Sequence, residues 1–317
     1  MLWACIRCTT TSVAVGAALI AVSAAAQTGL VSRAPHGTPG NLSSTNPSLS
    51  RDGRYVAFSS DATNLVAGDT NGVTDIFVHD RATGVTTRVS VASEGAEANG
   101  PSRAPSISGD GRHVAFESDA TNLDPTQYGA NSPGPGDHNA ATDVFVHDRQ
   151  MARTTRVSVG YGRVCAPTCL AFVIEANGPS RFADISEDGR FVAFASGASN
   201  LVADDTNGNC SAPEWFDFQF ANRTWCADVF VVDAQEGAIE RVSVGHAGVE
   251  SDGWSGLPSI SADGRLVAFD SSATNLSADS RPPCDYGVLH GVFLRDRWSR
   301  TTTRLDAAGE RRCSAGA

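Results

Sequence analysis

PSISGDGRHVAF, residues 105–116, decides the fold because the chain writes the same phrase four times. It recurs at 47–58 (PSLSRDGRYVAF), 183–194 (ADISEDGRFVAF) and 258–269 (PSISADGRLVAF). In each copy a short stretch centred on one apolar residue meets a second apolar run across an Asp-Gly pair. Gly takes positive φ there without a steric cost and Asp tolerates it, so the pair signals a hairpin. A Thr/Ser-Asn-Leu signpost follows, then a third run (Ile76-Phe77-Val78, Val144-Phe145-Val146, Val229-Phe230-Val231, Val292-Phe293-Leu294). A short turn leads into a fourth run at 87–91, 155–159, 240–244 and 303–305. Four short antiparallel strands per copy make one propeller blade, so the fold class is all-β, a β-propeller of four recognisable four-stranded blades. The middle strands lack polar alternation, as expected of a sheet covered on both faces.

Working outward, the expected boundaries are a signal peptide at 1–26, a lone N-terminal strand and lead-in at 27–44, and blade 1 at 45–92. Blade 2 spans 99–160, an inserted connection 161–176, blade 3 177–245, blade 4 251–306 and a tail 307–317. The signal reading rests on Arg7 in a short head, an apolar run over 12–22 and the small residues Ala24-Ala25-Ala26. The apolar run is too short for a membrane anchor, and no later stretch could span a bilayer. The expected address is therefore periplasmic or secreted. The segment Thr28-Gly29-Leu30-Val31-Ser32 reads as a spare fourth strand, since Val31-Ser32 precedes Ser50 as Val89-Ser90 precedes Ser108. The chain is then an open arc, a tight four-bladed ring or part of a longer ring. In the open case, self-association could use that strand.

The Ser-x-Asp-Gly-Arg-x-Val-Ala-Phe phrase followed by Asp-Val-Phe-Val-x-Asp resembles the WD-like propeller repeat of the TolB type, over roughly residues 31–305. The resemblance implies a propeller fold and an exported address. It does not imply the Tol role, because there is no room for that protein's additional N-terminal domain.

The turn aspartates Asp52, Asp110, Asp188 and Asp263 are spaced by 58, 78 and 75 residues. The excess lies wholly between second and third strands or between blades, and these connections open on one side of the disc. Insertions confined to one face mark the expected binding surface. The six cysteines beyond the signal fall in this class: Cys165, Cys169, Cys210, Cys226, Cys284 and Cys313. An even number in an exported chain favours disulfides, and Cys210–Cys226, Cys165–Cys169 and Cys284–Cys313 is the pairing offered among fifteen. Trp215, Phe216, Phe218, Phe220 and Trp225 crowd one insertion, and Trp254 and Tyr161 lie in blade connections. These rings suit recognition of a protein or a sugar, or else pack on one another under the loop.

Asp69 and Asn71 with Asp75, and Asp205 with Asn207, resemble half of a calcium loop, so calcium is a weak candidate ligand. Asx turns explain the same residues. Asp80, Asp148, Asp233 and Asp296 each precede by eight residues an arginine (Arg88, Arg156, Arg241, Arg304) that a hairpin could pair with them. His79 and His147 share a blade position, which suggests a structural slot. The sequence carries no GxSxG, HExxH, P-loop or dinucleotide motif. Net charge is −11 with no lysine, which argues against nucleic acid. No cofactor is expected. The reading is an exported, non-enzymatic binding module for an envelope or extracellular protein or a glycan. The alternative is a polysaccharide-active hydrolase or lyase, or an accessory subunit, with carboxylates on the same face.

Overall fold

Each Ser-x-Asp-Gly-Arg phrase closes on itself. In the second copy the Ser108 hydroxyl donates to Asp110 Oδ1 (2.6 Å), and the same oxygen accepts the Arg112 amide (2.9 Å). The His113 amide returns to Ser108 Oγ at 2.9 Å, with Gly111 at φ 74°. The turn is fixed locally before any tertiary contact forms. The arginine then reaches out: Arg112 grips Asp148, at the end of the third strand, through Nε (3.0 Å) and Nη2 (2.6 Å). Arg54–Asp80, Arg190–Asp233 and Arg265–Asp296 repeat the clamp. These aspartates therefore do not pair with the arginines eight residues onward. In the register Asp80 faces Val85 at the hairpin turn, while Arg88 faces Phe77 farther along the strand.

The structure, a computed structural model, describes residues 29–34, 37–125, 137–165, 169–207, 227–278 and 290–306, apart from the side chains of 161–172. All its strands lie in the unit Val31–Ala317. Blade 1 is β1 (Ser44–Leu49), β2 (Tyr55–Ser60), β3 (Asp75–Asp80) and β4 (Val85–Arg88). Blade 2 is β5 (Ser102–Ile107), β6 (His113–Ser118), β7 (Asp143–Asp148) and β8 (Arg153–Arg156). A two-stranded hairpin, β9 (Val159–Cys165) and β10 (Cys169–Glu175), follows within the inserted connection. Blade 3 is β11 (Ser180–Ile185), β12 (Phe191–Ser196), β13 (Asp228–Asp233) and β14 (Ile239–Arg241). Blade 4 is β15 (Ser255–Ile260), β16 (Leu266–Ser271), β17 (Gly291–Asp296) and β18 (Thr301–Arg304). Each blade is an antiparallel meander in chain order.

The fourth strands end earlier than the sequence suggests. After Val89 the backbone leaves the ladder, and the Ser90 hydroxyl takes over by accepting the Ile76 amide (3.0 Å) and donating to Asp75. Ser158 and Ser243 do the same in blades 2 and 3. In every first strand one non-glycine residue sits in the left-handed region at the register shift: Asn46, Ala104, Phe182 and Leu257, at φ 50–59°. This bulge turns the strand so that both of its ends can meet a neighbouring blade.

The core lies between blades. Phe116 and Phe145 stack within blade 2 (5.9 Å) and pack on Ala57, Ile76, Val78 and Val89 of blade 1. Ala115, Val144, Val146 and Val157 of blade 2 meet Phe194 and Phe230 of blade 3. Ala193, Val229, Val231 and Val242 of blade 3 meet Phe269 and Phe293 of blade 4. Each blade thus offers aliphatic residues forward and a phenylalanine pair to the rear. The signpost asparagines tie in the connectors: Asn122 accepts the Asn99 amide (3.0 Å) and donates to the Glu97 carbonyl (2.7 Å). The signpost leucines Leu65, Leu123, Leu201 and Leu276 are fully buried beneath.

The described part of the expected spare strand is not a strand. Arg33 forms an isolated bridge with Pro39, equivalent to Val91–Glu97 and Val244–Glu250. Val31 packs on the Phe58–Phe77 side of blade 1. Among the described residues the segment serves as the lead-in of blade 1.

Candidate binding face

At the loop-rich end of the blades three arginines stand among three carboxylates each. Arg156, on β8, has no exposed side-chain surface. Its Nη1 lies 3.0 Å from Asp137 and 2.7 Å from Asp143, and its Nη2 lies 3.0 Å from Glu175. Arg88 occupies the same place among Asp69 (3.3 Å), Asp75 (3.4 Å) and Glu97 (2.5 Å). Arg241 lies among Asp205 and Asp228 (3.6 Å each) and Glu250. The pattern joins the loop before the third strand, the start of that strand and the connector to the next blade. It welds the permissive loops to the sheet.

Three carboxylates against one guanidinium leave excess negative charge in a poorly solvated place. Burial therefore dominates and pushes Asp143 up to about 6 and Asp205 up to about 7. Asp69, Asp75, Asp137 and Asp228 are raised for the same reason. Burying such a cluster adds little net stability, while removing its arginine would strand charge at a cost of about 3–5 kcal/mol.

The residues named for calcium are occupied by contacts within the protein. Asn71 accepts the Val73 amide (3.2 Å) in an Asx turn and turns its NH2 group toward Asp75 (2.9 Å) and the Ala98 carbonyl (3.0 Å). Asn207 likewise donates to Asp228 (2.8 Å). Asp69, Asp75 and Asp205 all face an arginine, so a guanidinium holds the place a cation would take. Oxygens of Asp205, Asp228 and Glu250 do come within 4.8 Å of one another, and Arg241 lies at that cluster. Blade 4 departs, since Gly291 replaces the strand-opening Asp and Arg304 pairs with Asp306 at 2.7 Å.

His79 and His147 fill a common slot. Each Nδ1 lies about 3 Å from a threonine hydroxyl (Thr86 at 3.0 Å, Thr154 at 2.9 Å) that itself donates to a connector carbonyl. In blade 4 Arg295 replaces the histidine and donates to Thr302 at 3.1 Å.

Trp254 does not belong to an exposed face. It is 2% exposed and edge-to-face with His290 at 5.8 Å. A Cβ at Gly256 would come within 2.4 Å of its ring, so the missing side chain makes room for the indole. Trp215, Phe216, Phe218, Phe220, Trp225, Cys210, Cys226, Cys284 and Cys313 lie outside the described residues, and Tyr161 is placed only by its backbone in β9. The register sets Cys169 directly opposite Cys165 at the end of the β9–β10 hairpin.

Sequence reasoning missed a recess of about 470 Å³ at the seam of blades 3 and 4. Asp204, Glu240, Arg241, Val244, Arg295 and Arg300 line it. Arg295 is 7% exposed, and burial lowers its pKa. Val202–Asp204, on its lip, lead in sequence toward the aromatic-rich insertion 209–227. Arginine and valine standing where two other blades have histidine (Arg295 and Val232 against His79 and His147) was the signal available.

Four antiparallel four-stranded blades packed face to face define a β-propeller protein. No family model matches the sequence, and no curated protein matches it. Among solved structures the chain is similar to TolB from Acinetobacter baumannii, at 16% identity over 83% of this chain and 43% of that one (TM-score 0.41). It is similar to oligogalacturonate lyase from Vibrio parahaemolyticus, at 11% identity over 86% and 56% (TM-score 0.45). It is also similar to a putative TolB from Agrobacterium tumefaciens, at 16% identity over 83% and 80% (TM-score 0.33). The chain thus spans about half the length of the first two. Its fold, from its own sheets, is that of a β-propeller.

Proposed function

We propose that this chain is an exported binding module that recognises an envelope or extracellular protein, or a glycan, through its loop-rich face at the seam of blades 3 and 4. The observation that carries the reading is the recess at that seam. It combines cations (Arg295, Arg300) and anions (Asp204, Glu240) in one concavity, and Val202–Asp204 on its lip lead in sequence toward the insertion richest in aromatics. Alternating charge gives specificity and aromatic rings give contact area. The raised carboxylates nearby supported a hydrolytic alternative at first sight. Their threefold repetition around an arginine instead marks a device that each of three blades uses to anchor its loops. Export rests on residues 1–26, and among the described residues no helix is long and apolar enough to cross a membrane.

The test is capture from envelope and culture extracts by the chain lacking 1–26, set against a version with 209–227 replaced by a short turn. A partner retained only by the intact insertion is the expected result. Equal retention by both versions would remove the insertion from the site. Measurable cleavage of a polysaccharide would replace binding with the hydrolytic alternative.

A further inference from the structure

Three internal seams show what covers a blade face in this molecule, and the described residues leave one such seam half-built at each end of the arc. The forward positions of blades 1, 2 and 3 are almost completely buried. Ile76, Val144 and Val229 are each at 0%, and Val89, Val157 and Val242 lie at 1%, 5% and 0%. Their blade 4 counterparts are Val292, at 40% exposure, and Leu305, at 53%, with Leu266, Ala268 and Leu294 half-buried beside them. At the other end the opening is narrower: Phe58 and Phe77 of blade 1 are already buried, in a cluster on which Val31 and Val66 pack. Leu49 on β1, however, is 61% exposed, whereas Ile107 and Ile185, its equivalents, are at 6% because the preceding blade covers them.

The polar groups at the two ends match as well. In the axial turns each blade donates to the next: Arg51 N–H to Gly109 C=O (3.0 Å), Gly109 to Glu187 (2.8 Å) and Glu187 to Ala262 (3.1 Å). The ladder stops with the Ala262 amide at one end and the Arg51 carbonyl at the other, both on exposed residues. Along the first strands, the amides of Ile107, Ile185 and Ile260 bond Ser48, Ser106 and Asp184 of the preceding blade. Ser259 of blade 4, whose hydroxyl donates back to Asp184 of blade 3 (3.2 Å), receives no amide from a following blade, and the Leu49 amide of blade 1 has no preceding blade to bond in that series. The glycine turns repeat the message. A Cβ at Gly111, Gly189 or Gly264 would strike Tyr55, His113 or Phe191 of the preceding blade at 2.1–2.2 Å, while Gly53 meets nothing closer than Arg81 at 3.6 Å. Leu266 holds the position from which blade 4 could fill that space.

We propose that two copies of this chain associate head to tail, the forward face of blade 4 in one seating on the rear of blade 1 in the other. A twofold axis along the propeller axis satisfies both ends at once and gives eight blades, within the range propellers adopt. Under that twofold the pair is isologous as a whole and is built of two equivalent contacts, in each of which the blade 4 patch of one chain meets the blade 1 patch of the other.

The experiment is sedimentation equilibrium on the chain lacking 1–26, on Leu49→Arg, on Leu305→Glu and on their mixture. These residues are exposed in the single chain, and an unchanged circular dichroism spectrum and melting temperature confirm that each variant folds. The expected result is twice the chain mass for the parent, single-chain mass for each variant, and recovery of a one-to-one pair on mixing. Recovery is expected because Leu49→Arg keeps its forward face and Leu305→Glu keeps its rear. A parent of single-chain mass overturns the proposal. Association that survives both substitutions, or variants that fail to complement, overturns it equally by assigning the contact to other surfaces. A single-chain parent destabilised by Leu305→Glu would place the chain's own 307–317 segment on that face instead.

Discussion

His147 shows how a single side chain is held by its slot. It is 5% exposed, and burial lowers its pKa to about 4, with Asp148 opposing the shift and Arg149 adding to it. A base whose folded pKa lies below its unfolded value of about 6.5 favours folding in its neutral form. The stability it supplies is fully present above pH 6.5 and is lost as pH falls toward 4, by up to about 3 kcal/mol. Asp143 and Asp205 act with the opposite sign, because acids with raised pKa values strengthen the fold as they take up protons. Comparison with His147→Gln isolates the histidine, since the amide can still donate to Thr154 but does not titrate there. Urea midpoints should diverge between the two proteins from pH 7 down to about 4, with the wild type losing more. Parallel curves would show that the histidine carries no such linkage. The equivalence of His79 and His147 was legible in the sequence because the repeat aligned them. The true partners of Asp80 and Arg88 were not. Eight-residue spacing places both on one hairpin, yet the ladder sets them at opposite ends of it, and only the register reveals that Arg54 and Glu97 are nearer.

At the scale of elements, the Asp-Gly hairpin was the most readable feature because everything that fixes it is local: a serine, an aspartate, a glycine and two amides. What the glycine must avoid is not local. Gly53 and Gly111 both take positive φ, at 67° and 74°. An alanine at Gly53 should therefore cost only the left-handed backbone penalty of about 1–2 kcal/mol. At Gly111 the added Cβ would also lie 2.1 Å from the Tyr55 ring of the preceding blade, adding about 1–3 kcal/mol of overpacking. Unfolding of Gly53→Ala and Gly111→Ala, each in the Leu305→Glu background so that association does not intervene, should rank them in that order. Equal losses would mean that Tyr55 moves aside freely. Other elements were hidden for comparable reasons. The bulges at Asn46, Ala104 and Phe182 carry no glycine to announce them, and only that at Leu257 has one beside it, Gly256. The β9–β10 hairpin lay inside what read only as an insertion, although Phe172-Val173-Ile174 had the composition of a strand. Val31-Ser32 matched a fourth strand in sequence and formed none, since a strand is made by its neighbour as much as by its residues.

At the scale of the whole molecule, stability follows the number of covered faces. In a repeat array each unit contributes its own folding term and a term for each interface with a neighbour. Blades 2 and 3 have two such interfaces within one chain and blades 1 and 4 have one. The third strands record the difference at the blade 4 end, where burial is continuous along β13 but alternating along β17, whereas β3 of blade 1 is continuously buried, with Val31 and Val66 packed on that side. Native-state hydrogen exchange at low protein concentration should therefore find the slowest amides in β6, β7, β12 and β13. Opening of β17 and β18 should take less free energy than global unfolding. Raising the concentration should slow exchange in blades 4 and 1 and leave blades 2 and 3 nearly unchanged, because only the end blades gain an interface when copies meet. In Leu305→Glu the concentration effect should vanish while the gradient along the arc persists. Uniform protection across all four blades would show that the array unfolds as one cooperative unit, with interface terms too strong for its ends to open alone. Protection at the ends that ignores concentration would mean that their exposed aliphatic residues are covered from within the chain.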